Sequence, residues 1–366
     1  MKILVMGGTQ FNGLAAVHAL VKAGHDVTIL NRGQTEAQLP EGLNRLYGDR
    51  TDHDQMRSVL GGLEFDVIYD LTAYHRADSE LMVEIFEGRV GHYICASSTV
   101  IYAHGEVGPY TEASPLESGE DQIEYGQGKI DLEHYLFGLH RERNFPVTMV
   151  PFSMVFGPRN IIPDREQRMM TRLSQGRPIL VPGDGSTMLQ VTHVEDQGRA
   201  LALMAGLDES HGERYNICAP IYPTDIGYIQ TMANVLGVSA DMRFIPHDVM
   251  DALWEGDLSF DLGESTAPKI DIRSSDEGKK LRAGRNLKMK FQLSTVAQRL
   301  APNIHRWNHS SLFSSEKLTG LVDWKPEHDL KSMVEHVWDW YQRENLAETQ
   351  TFDWTFEDQI LAHITE

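Results

Sequence analysis

The sequence holds only two cysteines, Cys95 and Cys218, among its 366 residues. That is too few for the disulfide framework of a small secreted domain, and neither stands in a CxxC or zinc-ribbon spacing. No apolar run approaches the roughly 18 residues that a membrane-spanning helix needs. The opening Met1-Lys2 and the short run Ile3 to Met6 are likewise too brief for a signal-peptide core. From these shortages we expect a soluble protein of a reducing cytoplasm. Positive charge is scarce too: Lys plus Arg number 33 against 53 Asp plus Glu, giving a net charge of −20. This opposes binding of nucleic acid or an anionic membrane through overall charge, although a local basic groove stays open to the chain. Low complexity is absent as well, and a composition of 41% hydrophobic and 23% charged residues is that of an ordinary folded protein.

What is present reads as an α/β chain: a length of 366 residues, against roughly 150 per domain, predicts a large domain with a smaller lobe. Lys2 to Met6 is an apolar strand, a glycine turn follows, and Leu14, Val17, Leu20 and Val21 recur at helical spacing up to Gly24. Asp26 to Leu30 is then a second strand. Further apolar runs at Phe65 to Tyr69, His92 to Ala96 and Val147 to Val150 alternate with helical stretches. This predicts a doubly wound parallel sheet of the Rossmann type. After about Phe156 the regularity falls away, with a helix expected over Arg165 to Gln175 and a turn at Gly183-Asp184-Gly185-Ser186. The expected division is a dinucleotide-binding unit over 1–156 with a return near 186–220, a substrate lobe over 157–185 and 221–345, and a tail over 346–366. The polar stretch from Pro246 to Ser311 reads as an elaboration on the substrate side.

Gly7-Gly8-Thr9-Gln10-Phe11-Asn12-Gly13 lies between strand and helix, where missing β-carbons let backbone approach a pyrophosphate and the helix start offers N–H donors. At the end of the second strand, where a carboxylate would take the ribose hydroxyls of NAD, stands Asn31-Arg32-Gly33. An arginine there attracts a 2′-phosphate, which tilts the expected cofactor from NAD towards NADP; a solvated surface charge is the alternative for Arg32. Tyr125 and Lys129 are four residues apart, on one face of a helix continuing through Leu132, Leu136 and Leu139. A phenol titrates near about 10, so a neighbouring cation is needed before it exchanges protons near neutrality. Alone the pair reads equally as the edge of an amphipathic helix. Its weight comes from company: the glycine loop, and Ser97-Ser98-Thr99 just beyond the strand ending at Ala96.

These pieces, together with Gly48-Asp49-Arg50, Val155-Phe156-Gly157-Pro158-Arg159 and Tyr215-Asn216-Ile217, resemble in residues and in order the extended short-chain dehydrogenase/reductase family, its NAD(P)-dependent epimerase/dehydratase group. Gln10 replaces the middle glycine of the usual GxxGxxG. The resulting GGTxFxG is similar to an atypical branch that includes chloroplast stem-loop-binding proteins and bacterial reductase-like proteins. The resemblance implies that Tyr125 is the catalytic acid/base, that Lys129 holds the nicotinamide ribose, and that Ser98 bonds the reacting oxygen. It implies cofactor contacts from Gly7, Thr9, Gln10, Phe11, Gly13, Asn31, Arg32, Asp49, Leu71, Phe152 and Ser153, with Asp49 on the adenine amine. Pro151 stands where many relatives carry arginine. Ser98 is followed by Thr99 and Val100, not by the acidic pair of the family's sugar dehydratases, so simple hydride transfer on a secondary alcohol of a sugar or nucleotide sugar is the chemistry expected.

Thr99, His75, Arg76 and Arg159 are candidate substrate contacts. Arg159, Arg165, Arg168 and Arg172 are candidates for a substrate diphosphate, or else form a helix surface balanced by Asp164 and Glu166. The rival readings are an NADPH-dependent ketone reductase and an RNA-binding or regulatory relative without turnover. No metal is expected, since His305 and His309 have helical spacing but no HExxH motif. Trp338, Trp340, Tyr341 and Trp354 read as packing or a subunit contact, and a homodimer is expected from the resemblance alone.

Overall fold

The computed structural model describes residues 1–103, 105, 108–117, 122–264, 300 and 307–365. Much of the stretch centred on Ser274-Ser275-Asp276, and His305 with it, lies outside them. The first half alternates strand and helix: β1 (Lys2–Met6), α1 (Phe11–Lys22), β2 (Asp26–Asn31), β3 (Asn44–Tyr47), α2 (His53–Leu60), β4 (Phe65–Asp70), α3 (Arg76–Phe86), β5 (Val90–Ser98), α4 (Glu124–Arg143) and β6 (Val147–Phe152). Successive strand residues face opposite sides. Ile3, Val5, Val27, Ile29 and Tyr69 therefore build one core with α1, while Leu4, Met6, Ile68, Tyr93 and Cys95 build another with α2, α3 and α4. Burial on both faces is what a parallel sheet between two helical layers requires.

The later elements are β7 (Met154–Phe156), α5 (Glu166–Ser174), β8 (Ile179–Pro182), β9 (Val191–His193), α6 (Val194–Leu203), β10 (Glu213–Arg214), α7 (Asp225–Leu236), β11 (Met242–Ile245) and α8 (His247–Glu255). The helices Glu316–Leu321, Leu330–Arg343, Leu346–Thr349 and Thr355–Thr365 follow. The seven-stranded parallel sheet runs β3-β2-β1-β4-β5-β6-β10. Strand order reverses between β1 and β4, so a crevice opens beyond their carboxyl ends, the usual place for a ligand in such sheets. The chain returns to this unit through α6, packed on α1, and β10, which joins β6. Close approach of α1 and α6 depends on Gly198, where a β-carbon would come within 2.6 Å of the Ala15 carbonyl oxygen.

The smaller lobe gathers Phe156, Met170, Leu173, Tyr228, Met232, Met333, Val337, Trp340 and Tyr341 around α5, α7 and the helix Leu330–Arg343. Residues 346–366, read from the sequence as a tail, include the docked helix Thr355–Thr365, whose Phe356 and Ile360 are buried beside Leu180, Ile245 and Trp254. Among the described residues no helix is long and apolar enough to cross a membrane.

Candidate active site

The glycine loop is shaped by contacts that leave no room for side chains. Gly7 has φ +89°, and a β-carbon there would strike the Thr72 side chain; one at Gly13 would sit on the Gly7 carbonyl oxygen. Phe11 holds φ 38°, a conformation that side chains disfavour, and sends its ring into the core shared with Val5 and Phe152. Gln10 is exposed and Thr9 buried. The Gln10 side chain caps nothing, so the first-turn N–H groups of α1 lack a side-chain acceptor, and Asn12 Oδ1 is buried without a hydrogen-bond partner. An uncapped helix start of this kind suits a phosphate.

At the carboxyl end of β2, beside the loop, Asn31 Oδ1 accepts from Gly33 N at 2.9 Å and Arg45 Nη2 at 3.1 Å, while Asn31 Nδ2 is buried with no partner. Arg32 is exposed, and Arg45 lies 5.0 Å over the Tyr47 ring, so two guanidinium groups flank the end of β2. The Asp49 carboxylate accepts from Thr51 N at 3.0 Å and Thr51 Oγ1 at 2.8 Å. Partial burial works against its charge, yet the Thr51 hydrogen bonds and the Arg32 field bring it below the usual carboxylate value. Leu71 follows β4, half-buried against the core. The loop without β-carbons, the uncapped helix start and the orphaned Asn31 amide together fit a dinucleotide.

Tyr125 and Lys129 occupy the first turns of α4, one turn apart. Gln122, itself buried, anchors this start by donating from Nε2 to Val100 O at 3.0 Å. Gly128, which weakens a helix in isolation, has a packing reason: a β-carbon there would come within 2.7 Å of Tyr74 O. The helix can thus press against the loop after β4. Lys129 is buried and donates from Nζ to Ala73 O at 2.6 Å and Ala96 O at 2.8 Å. An ammonium has three donors, so one hydrogen remains for a ligand beside the exits of β4 and β5. Nζ also lies 5.7 Å from the Tyr125 ring centre. The half-buried Tyr125 phenol is raised by burial, and lowered in turn by a hydrogen bond with Ser98 and by the charge of Arg165. Arg165 borders a small cavity of about 60 Å³ with Met154, Arg172, Asp225 and Tyr228. Its Nε is buried without a partner, and burial pushes the guanidinium below its ordinary value.

Other predicted contacts lie elsewhere or are already engaged. Thr99 is buried in the short turn Thr99–Ile101. His75 is buried as the N-cap of α3, in a reciprocal capping box with Asp78. Arg76 turns outward onto Glu80 at 2.7 Å and the Tyr135 ring at 4.8 Å, away from Tyr125. Exposed Arg159, at φ 62°, reaches Gln38 Oε1 at 2.8 Å. Phe152 is core, and the Ser153 hydroxyl is shared with Thr192 Oγ1 at 2.9 Å.

The diphosphate reading of Arg168 is overturned. It forms a two-point pair with Glu357 at 2.6 and 2.8 Å, and Arg172 lies 3.5 Å from the same carboxylate. Their counter-charge comes from the C-terminal helix; Asp164 supplies a second contact to Arg168 at 3.2 Å, and Glu166 takes no part. Trp354 stacks over this group, 4.6 Å from Arg168 and 5.3 Å from Arg172.

Two groups play parts that a reading of the sequence by motif does not give them. Arg50 bonds both Asp70 oxygens at 2.9 Å and Thr72 Oγ1 at 2.7 Å, and Tyr93 OH donates to Asp70 at 2.7 Å. This buried network fixes the exit of β4 beneath the glycine loop. Arg165, as the cation facing Tyr125, is the other; nothing in a separation of forty residues signals it, whereas Gly48-Asp49-Arg50 is at least visible as a motif.

The model of the NAD-dependent epimerase/dehydratase family matches residues 3–218, more than half of the chain. The chain belongs to that family. It is 32% identical over 249 residues to the chloroplast stem-loop binding protein of 41 kDa b of Arabidopsis thaliana, covering 64% of this chain and 63% of the relative. It is 25% identical over 218 residues to 2'-dehydrokanamycin reductase of Streptomyces kanamyceticus, covering 58% and 60%. The matches thus span less than two thirds of either relative. In fold, the family member resembles dTDP-glucose 4,6-dehydratase of Bacillus anthracis solved with NAD, at TM-score 0.67 and 16% identity over 95% of this chain and 98% of that one. UDP-glucuronic acid 4-epimerase of Bacillus cereus with NAD is similar at TM-score 0.67 and 18% identity, over 96% and 99%.

Proposed function

We propose that this family member is an NAD(P)-dependent oxidoreductase or epimerase acting on a secondary alcohol of a sugar or nucleotide sugar, with Tyr125 as acid/base. The observation carrying this reading is the Lys129 ammonium, one helical turn from Tyr125 and 5.7 Å from its ring centre, fastened to the exits of β4 and β5 with one hydrogen to spare. The nicotinamide of the dinucleotide supplies a hydride acceptor and, returning it, a donor. Within this reading Ser98 would hold the substrate oxygen and Tyr125 would take its proton, while the carbon would give up hydride to become a ketone. Lys129 directs its third hydrogen to the cofactor ribose. Return of hydride to the opposite face of a rotated ketone completes an epimerisation; release of the ketone makes the protein a dehydrogenase or, in reverse, a reductase. The absence of an acidic pair after Ser98 favours both over dehydration. The first unit holds the dinucleotide, and residues 157–185 and 221–345 supply the substrate side.

The test is incubation with a panel of nucleotide sugars and ketones, followed by NMR and by absorbance of the reduced cofactor. Epimerisation predicts stereochemical turnover without net reduction, and a reductase predicts a stoichiometric absorbance change. Loss of either by about 10²–10⁴-fold in Tyr125→Phe, with cofactor binding retained, is the expected result; full activity in that variant rejects the assignment. Arg32 and Arg45 beside Asn31 favour NADP over NAD, and tighter NAD binding in a direct titration rejects that preference. Similarity to a stem-loop binding protein motivates a second reading, RNA binding. The net charge of −20 opposes it, and salt-dependent retention of RNA in a gel shift would restore it.

A further inference from the structure

Away from the crevice, three histidines and a glutamate converge where the smaller lobe meets α6. His193 ends β9 and caps α6; Glu195 is in the first turn of that helix. His328 lies just before the helix Leu330–Arg343, and His336 is on it. One ligand atom from each of the four lies within 4.8 Å of the other three. His336 Nδ1 is 3.1 Å from His193 Nε2, His328 Nε2 is 4.0 Å from Glu195 Oε2, and the rings of His193 and His328 stack with centres 3.7 Å apart.

The surroundings hold the cluster in place. Asp196, fully buried, sets a carboxylate oxygen 3.4 Å from His328 Nδ1, which leaves Nε2 of that ring turned to Glu195. A carboxylate behind the far nitrogen of an imidazole is the arrangement that orients histidine ligands and strengthens them as donors. Asp196 is in turn fixed by the backbone N–H groups of Glu327 at 2.9 Å and His328 at 3.3 Å and by Arg199.

We propose that His193, Glu195, His328 and His336 bind one divalent transition-metal ion, with zinc the best match to three imidazoles and a carboxylate. Zinc–nitrogen bonds of about 2.0–2.1 Å in a tetrahedron place neighbouring donors about 3.4 Å apart, close to the His193–His336 separation of 3.1 Å. For both to reach one ion, the stacked rings of His193 and His328 have to turn out of their stack. Binding displaces the hydrogen shared by these two rings and gives up the long cap from Glu195 N to His193 Nδ1, 3.3 Å. The Glu195 carboxylate, 55% exposed, opens the cluster to solvent and gives an ion its way in. All four donors are then bound to one centre, which ties the helix Leu330–Arg343 to α6 and, through α6, to α1. The sequence reading weighs only His305 and His309 and expects no metal; these ligands come from 193–195, 328 and 336, too far apart for a local motif. None of the four lines the cavity beside Arg165, and the role we assign to the ion is structural.

The experiment uses the full chain, stripped with EDTA and equilibrated with zinc chloride, with metal content, affinity and thermal unfolding as readouts. We expect one tightly held zinc per chain and a higher Tm with zinc than without. Glu195→Gln, on the solvent side and therefore safe for folding, and His336→Gln should weaken binding by at least about tenfold. His134→Gln, an exposed histidine on α4, should leave it unchanged. Equal affinity in wild type, Glu195→Gln and His336→Gln overturns the proposal. If His336→Gln does not fold, cobalt in the wild-type chain decides: tetrahedral ligand-field bands support the site, and an octahedral, solvent-like spectrum overturns it.

Discussion

At the residue scale, the balance of forces on one phenol decides the chemistry. Burial alone holds the Tyr125 proton on, and Ser98 and Arg165 oppose it. Removing the guanidinium leaves burial with less opposition, so Arg165→Gln should raise the phenol further. The alkaline shift is read as movement of the rising limb of kcat/KM against pH, in the alcohol-oxidising direction, to higher pH. Arg165→Lys, which keeps the charge, should restore the limb, whereas identical profiles in all three proteins would detach Arg165 from Tyr125. The placement of Tyr125 and Lys129 one helix turn apart, and of Ser98 at a strand end, was legible in the sequence. Arg165 was read there only as a diphosphate candidate, since its charge acts on the phenol through the tertiary fold alone. For His75 the sequence shows a ring at the mouth of a helix, which can face a ligand or cap the helix, and the structure adds the cap with Asp78.

At the scale of elements, close approach is the recurring theme. A methyl group at Gly13 would coincide with the Gly7 carbonyl oxygen, so Gly13→Ala should push α1 away from the loop. We expect it to destabilise the chain by more than about 1 kcal/mol and to reduce cofactor affinity at least tenfold; isothermal titration and denaturant unfolding check both. The C-terminal helix offers a second test. Glu357→Ala leaves Arg172, 5% exposed, without its carboxylate and Arg168, 3% exposed, with Asp164 alone. Loss of one partner of a buried pair costs about 3–5 kcal/mol, which urea unfolding will resolve; a loss below about 1 kcal/mol would show that the arginines find other partners. The alternation of strand and helix through β6 was readable because apolar runs of four to six residues repeat between amphipathic stretches. The docking of Thr355–Thr365 was not, because the acid that neutralises Arg168 is 189 residues further along the chain.

For the molecule as a whole, stability should follow pH through two buried acids. Burial raises Glu166 to about 7, against partial relief from its hydrogen bond with Asn160. Asp225 is likewise raised to about 7 by burial and by the nearby charge of Asp184. An acid whose folded value is raised contributes full stability below its unfolded value, near about 4.5 for Glu, and loses that contribution as pH rises through about 7. Glu166→Gln mimics the protonated acid. It should therefore match the wild type near pH 4.5 and exceed it by on the order of 3 kcal/mol at pH 8; a difference independent of pH would place the ionisation elsewhere. The doubly wound sheet was predictable at this scale from chain order and right-handed crossovers. A smaller lobe was expected from the length, but its core was not readable, since it combines Phe156, Tyr228 and Trp340 from segments with no common periodicity.

The pairing of Arg168 with Glu357 also bears on synthesis. Two guanidinium groups leave the ribosome long before the carboxylate that neutralises them, so α5 has to wait in water until the chain is made as far as Glu357. The nucleotide-binding unit can assemble early, while the lobe that would choose the substrate closes last.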